Sequence, residues 1–322
     1  MAKNLVTGGM GFVGTYLARQ LLDEGEDVVL FDQKKNLLPA ARDLEGKVKI
    51  VNGDVSNWVH VVDAVKSNHV ESIYHVAALL TRDCIQSPAS GFRVNVVGTF
   101  NILEAARILG VAQVIYTSTA YAYGLTPPRK INDDTILRPG NMYETTKFCS
   151  EHLGAQYSRQ YGILFRGVRL AMIIGPTRQL SYYHGDYSGT IEKTAQGKPH
   201  TIHVDPSMPQ SIIYVKDVAR ALIALKRADS HKLRQPMYNV TGFRTTVEQI
   251  ADTVKKQIPE AQIDFDWDRS EEMKRASMAD SYEMDNTRAR EDFGWQPRYL
   301  LDETVTDFIR EVKAGRARSP EP

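Results

Sequence analysis

The chain has 322 residues, 42% apolar and 25% charged, with 40 basic against 39 acidic side chains and a formal net charge of +1. That length fits one large α/β unit, or such a unit carrying a smaller lobe. A near-neutral balance without charge blocks offers no footprint for nucleic acid. The apolar runs are too short and interrupted for a transmembrane helix. Two cysteines, Cys84 and Cys149, are too few for a disulfide framework or a zinc site, so no metal is expected. Met1-Ala2-Lys3-Asn4 leads straight into a strand, where a secretory signal would need an apolar stretch first. The expectation is a cytoplasmic protein with reduced thiols and no membrane or nucleic-acid partner.

In chain order, Leu5–Thr7 reads as a strand and Gly11–Asp23 as a helix, with Phe12, Leu17, Leu21 and Leu22 at helical spacing. Strands follow at Asp27–Phe31, Val48–Val51 and Ser72–Val76. A long helix is predicted over Phe92–Leu109, closed by Gly110, then a strand at Val114–Ser118. Met142–Tyr161 is a further helix closed by Gly162, and Leu164–Leu170 a sixth strand. Strict alternation of strand and helix implies α/β architecture: a doubly wound parallel sheet with helices on both faces. Beyond residue 171 the pattern loosens, as in Gly175-Pro176 and Pro206 to Pro209. Ser211–Val215 and the helix Asp217–Lys226 suggest a return to the main sheet. Met237–Thr241 is a short strand. Thr245 or Thr246, followed by Glu248 and Gln249, caps another helix, and Asp302–Val312 is an amphipathic tail helix. The expected division is a dinucleotide-binding domain over 1–170, with 211–227 returning to it, and a smaller interleaved substrate lobe over 171–210 and 228–322.

Between the first strand and helix stands Gly8-Gly9-Met10-Gly11-Phe12-Val13-Gly14. Glycines at 8, 11 and 14 serve a tight turn, close approach to a pyrophosphate and close packing of helix on strand. The backbone amides of Phe12 and Val13 at the helix start then face the phosphates. Asp32, ending the second strand, can accept hydrogen bonds from an adenosine ribose and would repel a 2′-phosphate, which favours NAD. Lys34 and Lys35 keep NADP open. Asp54, followed by Val55, reads either as an adenine contact or as a helix cap before Trp58.

Tyr143 and Lys147 are one helical turn apart on one face, so a phenol and an ammonium can share a site. A nearby ammonium favours the phenolate, which can take a proton from a substrate hydroxyl as hydride leaves. Upstream, Ser118, Thr119 and Tyr121 stand at the carboxyl end of the fifth strand, where doubly wound folds bind ligands.

In order along the chain, the glycine turn, Asp32, His75-Val76-Ala77-Ala78, Asn95 before Val96-Val97-Gly98-Thr99, Ser118-Thr119 and Tyr143-x-x-x-Lys147 resemble the extended short-chain dehydrogenases/reductases of the NAD-dependent epimerase/dehydratase type. The resemblance covers nearly the whole chain. It implies Tyr143 as general acid/base, Lys147 as the residue that lowers its pKa and binds the nicotinamide ribose, and Ala77 and Ala78 as floor of the cofactor site. It implies Thr119 as the substrate-bonding hydroxyl, with Ser118 as second choice, and Asn95 as a residue that holds helix geometry. It also implies a homodimer in which Phe92–Leu109 and Met142–Tyr161 of two subunits form a four-helix contact.

Sugar-nucleotide members of that family carry an asparagine and an arginine where this chain has Met172 and Gln210. Diphosphate recognition relies on such donors. Arg138-Pro139-Gly140-Asn141-Met142-Tyr143, Gly185-Asp186-Tyr187 and Tyr238-Asn239-Val240-Thr241 are instead similar to the short-chain type of L-threonine 3-dehydrogenase, which oxidises a β-hydroxyl with NAD. The stretch before Asp186 departs from that type, since Tyr182, Tyr183 and His184 replace small residues. His184 is a candidate for a substrate carboxylate and Asp186 for an amine. The expected function is hydride transfer between NAD and the secondary hydroxyl of a small, threonine-like compound. The alternatives are a sugar-nucleotide epimerase or dehydratase using bound NAD, and a protein that senses NAD without chemistry.

Overall fold

A computed structural model describes residues 3–35, 37, 39–124, 127–178, 185–267, 270 and 281–317. The chain runs β1 (Lys3–Thr7), α1 (Phe12–Asp23), β2 (Asp27–Asp32), β3 (Lys49–Asn52), α2 (Trp58–Lys66), β4 (Ser72–His75), α3 (Thr81–Gln86), α4 (Pro88–Phe92), α5 (Gly98–Leu109) and β5 (Gln113–Thr119). It continues through β6 (Lys130–Ile131), α6 (Met142–Tyr161), β7 (Leu164–Leu170), β8 (Met172–Ile174), α7 (Gly185–Ala195), β9 (His200–Ile202), β10 (Gln210–Tyr214), α8 (Val215–Arg227), β11 (Met237–Val240) and β12 (Phe243–Thr245). The remaining elements are α9 (Val247–Gln257), β13 (Ile263–Phe265), β14 (Glu283–Met284), α10 (Thr287–Phe293) and α11 (Leu301–Lys313).

Seven strands form a parallel sheet in the order β11-β7-β5-β4-β1-β2-β3. Successive residues of a strand face opposite ways, so each buried strand feeds two cores. Val6, Leu30, Ile115 and Val168 pack with Leu17 and Leu21 of α1 and Ala219 and Leu222 of α8. On the opposite face Leu5, Val29, Val114 and Phe165 pack with Val61 of α2, Ile102 and Leu103 of α5 and Tyr157 of α6. A third core joins Ile191, Ile212, Tyr214, Val254 and Phe308 in the smaller lobe.

The order reverses beside β1, and the carboxyl ends of β1, β4 and β5 open on that crevice, where such sheets take ligands. The strand Ser211–Val215 corrects the reading that it rejoins the main sheet. It is β10, which pairs in parallel with β8 and antiparallel with β12 in a separate three-stranded sheet. The seventh main-sheet strand is β11, paired with β7 from Met237–Gly167 to Val240–Leu170. Both runs are buried along their whole length. Apolar patterning marks a strand as internal without saying which sheet encloses it. The following helix does return, because α8 packs beside α1 on one face of the main sheet.

The helix expected over Phe92–Leu109 is continuous, but one of its turns is not α-helical. It is α4, a π-type turn over Arg93–Val97, then α5. Such widened turns collect at functional sites because they redirect a side chain without ending a helix. The start of α6 is strongly fixed. Asn141 accepts from the amide of Glu144 at 3.1 Å, while the Glu144 carboxylate takes the amide of Gly140 at 2.6 Å. A reciprocal cap of this kind contributes on the order of 1 kcal/mol. It pins the turn that carries Tyr143.

Candidate active site

The glycine turn is packed so closely that only glycine fits. Gly8 has φ of +63°, and a Cβ there would lie 2.8 Å from the Cα of Ala77. A Cβ on Gly14 would lie 2.3 Å from the carbonyl oxygen of Gly8. The helix begins at Phe12 with Gly11 at its N-cap and no side chain capping it, so the first-turn amides and the positive end of the dipole face outward. Asp32 is held at the rim, its carboxylate accepting from the amides of Met10 at 3.0 Å and Lys34 at 3.1 Å. A tight cradle, an uncapped helix end and a positioned carboxylate fit a dinucleotide.

The floor beside this turn is tied down by a buried relay. The hydroxyl of Thr99 donates to the carbonyl of Asn95 at 2.6 Å, so it accepts from His75 Nε2, 3.0 Å away. His75 Nδ1 then accepts from the Thr7 hydroxyl at 2.7 Å, and that oxygen accepts the amides of Val76 and Ala77, both at 3.2 Å. This pattern assigns a neutral imidazole with its proton on Nε2. Burial, with the charge of Lys147 adding to it, pushes the His75 pKa down to about 3. Ala77 and Ala78 are half-buried beside Gly8. Asn95 fixes the next residues, accepting from the Leu79 amide at 2.8 Å and donating to the Leu79 carbonyl and the Thr146 hydroxyl. Asp54 turns its carboxylate to the amide of Ser56, and Asn57 caps α2 in its place. Val55 is buried against Gly98, where a Cβ would come within 2.8 Å of it.

Tyr143 and Lys147 both lie inside the protein, 8% and 3% exposed, on the turn of α6 that covers the carboxyl end of β5. Lys147 Nζ donates to the carbonyl of Thr117 at 2.7 Å and sits 4.7 Å from the ring centroid of Tyr116. Burial pushes its pKa down to about 8, against the raising influence of Glu151. Burial pushes the phenol of Tyr143 up to about 12, with the Thr119 side-chain hydrogen bond and the charge of Arg178 acting the other way. The structure thus brings Thr119 to the phenol. Tyr121 follows in a short 3-10 turn, its amide donating to the Thr119 hydroxyl at 3.2 Å. Ser118 is turned elsewhere. Its hydroxyl donates to Glu151 at 2.5 Å, and Glu151 is paired with Arg169 at 2.8 Å in a buried network. Adjacent strand residues point to opposite faces, so only one of the two hydroxyls reaches Tyr143.

Asp186 is corrected from a substrate contact to a support. It is 3% exposed, and its carboxylate accepts the amides of His203 at 2.7 Å and Val204 at 2.9 Å beside His200. Those bonds fasten α7 to the end of β9. The expectation for His184 lies outside the described residues. Two participants have no place in the sequence reading. Glu151 stands one turn beyond Lys147, a spacing that marks a shared helical face. Arg178 follows Gly175-Pro176 with its Cζ 5.8 Å from the ring centroid of Phe12, and no periodicity singles it out.

The profile of the family described as GDP-mannose 4,6 dehydratase matches residues 5–308. The mitochondrial L-threonine 3-dehydrogenase of Sus scrofa is 31% identical over 311 residues, covering 95% of this chain and 81% of that protein. A putative UDP-glucose 4-epimerase of Methanocaldococcus jannaschii is 26% identical over 319 residues, covering 96% of this chain and 98% of that protein. The solved structure of L-threonine dehydrogenase from Phytophthora infestans superposes with a TM-score of 0.85 at 27% identity, over 98% of this chain and 100% of that one.

The buried imidazole makes stability depend on acidity. An unfolded histidine titrates near ~6.5, well above the folded value of about 3. Below the unfolded value the unfolded chain takes a proton that folded His75 refuses, so stability present at neutral pH is lost as pH falls toward about 3. Urea unfolding at pH 7.5, 6 and 5 is expected to show decreasing stability. His75 contributes a slope approaching ~1.4 kcal/mol per pH unit within that window. A His75→Gln variant is expected to be less stable at neutral pH and to fall less steeply on acidification. An equal slope in both proteins would remove His75 as the cause.

Proposed function

Because this chain belongs to the GDP-mannose 4,6 dehydratase family of extended short-chain dehydrogenases/reductases, we propose that it is an oxidoreductase moving a hydride between NAD and the secondary hydroxyl of a small, threonine-like compound. One observation carries the reading: a buried tyrosine and lysine one helical turn apart, with the Thr119 side chain close enough to the phenol to hold its pKa down. The amides of Phe12, Val13 and Gly14 would hold the diphosphate, Asp32 the adenosine ribose, and Tyr143 with Lys147 the nicotinamide ribose. Bound there, NAD supplies a hydride acceptor.

The chain's own residues then handle the proton and the orientation. Thr119 and Tyr143 hold the substrate hydroxyl between them. The Tyr143 phenolate takes its proton as the carbon gives up hydride, leaving a ketone. In the free protein burial holds that phenol up at about 12. Cationic groups that favour the phenolate are therefore part of the catalyst. Arg178 already acts so on the phenol, and Lys147, anchored on the Thr117 carbonyl, would add its charge by the family resemblance.

The relatives include both L-threonine dehydrogenases and UDP-glucose epimerases. The buried roles of Met172 and Gln210 favour the former. Met172 packs in the core of the smaller lobe and Gln210 is 4% exposed at the start of β10. Neither presents a donor comparable to the amide and guanidinium that diphosphate binding uses. Turnover of a sugar nucleotide without net NADH would favour the epimerase reading instead.

Among the described residues no helix is long and apolar enough to cross a membrane. We place the protein in the cytoplasm on its two free cysteines. A homodimer is supported by exposed Phe100 and Ile108 on α5 and Tyr161 on α6, an apolar surface where a four-helix contact would form. Light scattering at micromolar concentration is expected to give twice the chain mass, and Phe100→Glu with Ile108→Glu to give a monomer. A monomeric unsubstituted protein would overturn this.

Tyr143→Phe is expected to lower turnover by about a thousandfold or more while NAD binding, read by fluorescence, stays within about threefold. Retained turnover would refute the assigned role. Asp32→Ala is expected to weaken NAD by about tenfold and raise relative use of NADP, since it removes both a ribose acceptor and a charge that repels the 2′-phosphate. An unchanged preference would place cofactor selection elsewhere.

A further inference from the structure

Arg178 is a cation beside the phenol of Tyr143. It lies on the turn after Gly175-Pro176, where Thr177 is held at φ of 69°. Its Nε is buried and has no hydrogen-bond partner. Among the described residues no carboxylate pairs with it. The Glu192 carboxylate, from α7, reaches the same turn but accepts the amide of Thr177 at 3.3 Å. The groups that act on the guanidinium are the phenols of Tyr121 and Tyr143, which are neutral at ordinary pH. A half-buried guanidinium whose Nε has lost water without gaining a partner is stabilised by a negative group that its planar fork can grip with two hydrogen bonds. The guanidinium carbon lies 5.8 Å from the centroid of the Phe12 ring, at the start of α1, and within electrostatic reach of the Tyr143 phenol.

We propose that Arg178 binds the carboxylate of the substrate, which makes the substrate class hydroxy acids rather than neutral alcohols. This rests on the dehydrogenase reading above and adds its second contact point. Thr119 and Tyr143 hold the hydroxyl, Arg178 holds the acid group, and two fixed ends present one face of the carbinol carbon to the cofactor. A nucleotide diphosphate is the poorer fit, because Met172 and Gln210 leave Arg178 without a second donor. The cofactor's own diphosphate already has the uncapped amides of α1. The same charge also favours the Tyr143 phenolate, so an empty acid site and an occupied one differ in how readily the base forms.

The test uses the full chain loaded with NAD, with L-threonine and L-threoninamide as one pair of probes and 3-hydroxybutyrate and 3-hydroxybutyramide as another. Binding is read by calorimetry and turnover by NADH absorbance, for the unsubstituted protein, Arg178→Gln and Arg178→Lys, with melting curves to confirm folding. The expected result is an acid weakened by about tenfold or more in Arg178→Gln, an amide changed by less than about twofold, partial recovery in Arg178→Lys and unchanged NAD affinity. Equal losses for acid and amide would overturn the inference. So would NAD weakened in step with the acid, which would put Arg178 on the cofactor diphosphate. So would an unsubstituted protein with no preference for acid over amide. If acid-selective binding disappears in Arg178→Gln but no pair yields NADH, the role of Arg178 stands and the dehydrogenase reading falls.

Discussion

The approach of Gly14 to the carbonyl of Gly8, with space for a hydrogen and nothing larger, is the constraint on which the site depends. It lets α1 lie directly against the end of β1, so that the helix presents its free amides at the crevice of the sheet. Every other part of the site is measured from that point. The residues after β4 are drawn against the same turn by Thr7 and His75, and α6 is then fixed to those residues through Asn95 and Thr146. A polar relay inside a protein is worth having only when each group is satisfied. Here Thr7, His75 and Thr99 each bond on to the next, ending at the carbonyl of Asn95.

The two halves of the proposed active site are held by different physics. The cofactor side is backbone geometry and admits almost no side-chain choice. The catalytic side is burial. Removing Tyr143 and Lys147 from water moves both groups away from their ordinary titration, the phenol upward and the amine downward. Both shifts disfavour the charged form. The surroundings act against that cost: Glu151 on the amine, Thr119 and Arg178 on the phenol. The proposed chemistry of this pair would therefore be set by its enclosure more than by its spacing.

Much of this was legible in the residues. The order of strands and helices, the glycine turn, Asp32 and the Tyr143–Lys147 pair all follow local rules, because a helix start or a buried strand is specified by its own neighbours. What was not legible depended on distant partners. Strand patterning could not tell that Met237–Val240 rather than Gln210–Tyr214 completes the large sheet, since both are enclosed on two sides. Ser118 and Thr119 are alike in sequence and divide only once the pleat sends one to Glu151. Asp186 looked available because nothing nearby in sequence announces the amides of His203 and Val204 that enclose it. Arg178 carries no motif at all, and its setting is visible only when Phe12 and Tyr143 are seen beside it.

The widened turn over Arg93–Val97 has a consequence for how this region tolerates change. The carbonyl of Asn95 accepts the hydroxyl of Thr99 on its own helix and shares the single proton of the Ser150 hydroxyl on α6 with the Thr146 carbonyl, each at 2.9 Å. That acceptor belongs to the main chain, so no substitution at position 95 deletes it. Gaining or losing a single residue there would turn the whole preceding segment by about 100° about the helix axis, carrying the acceptor away from both donors. The seam between these helices is thus robust to replacement of letters and brittle to a change in their number.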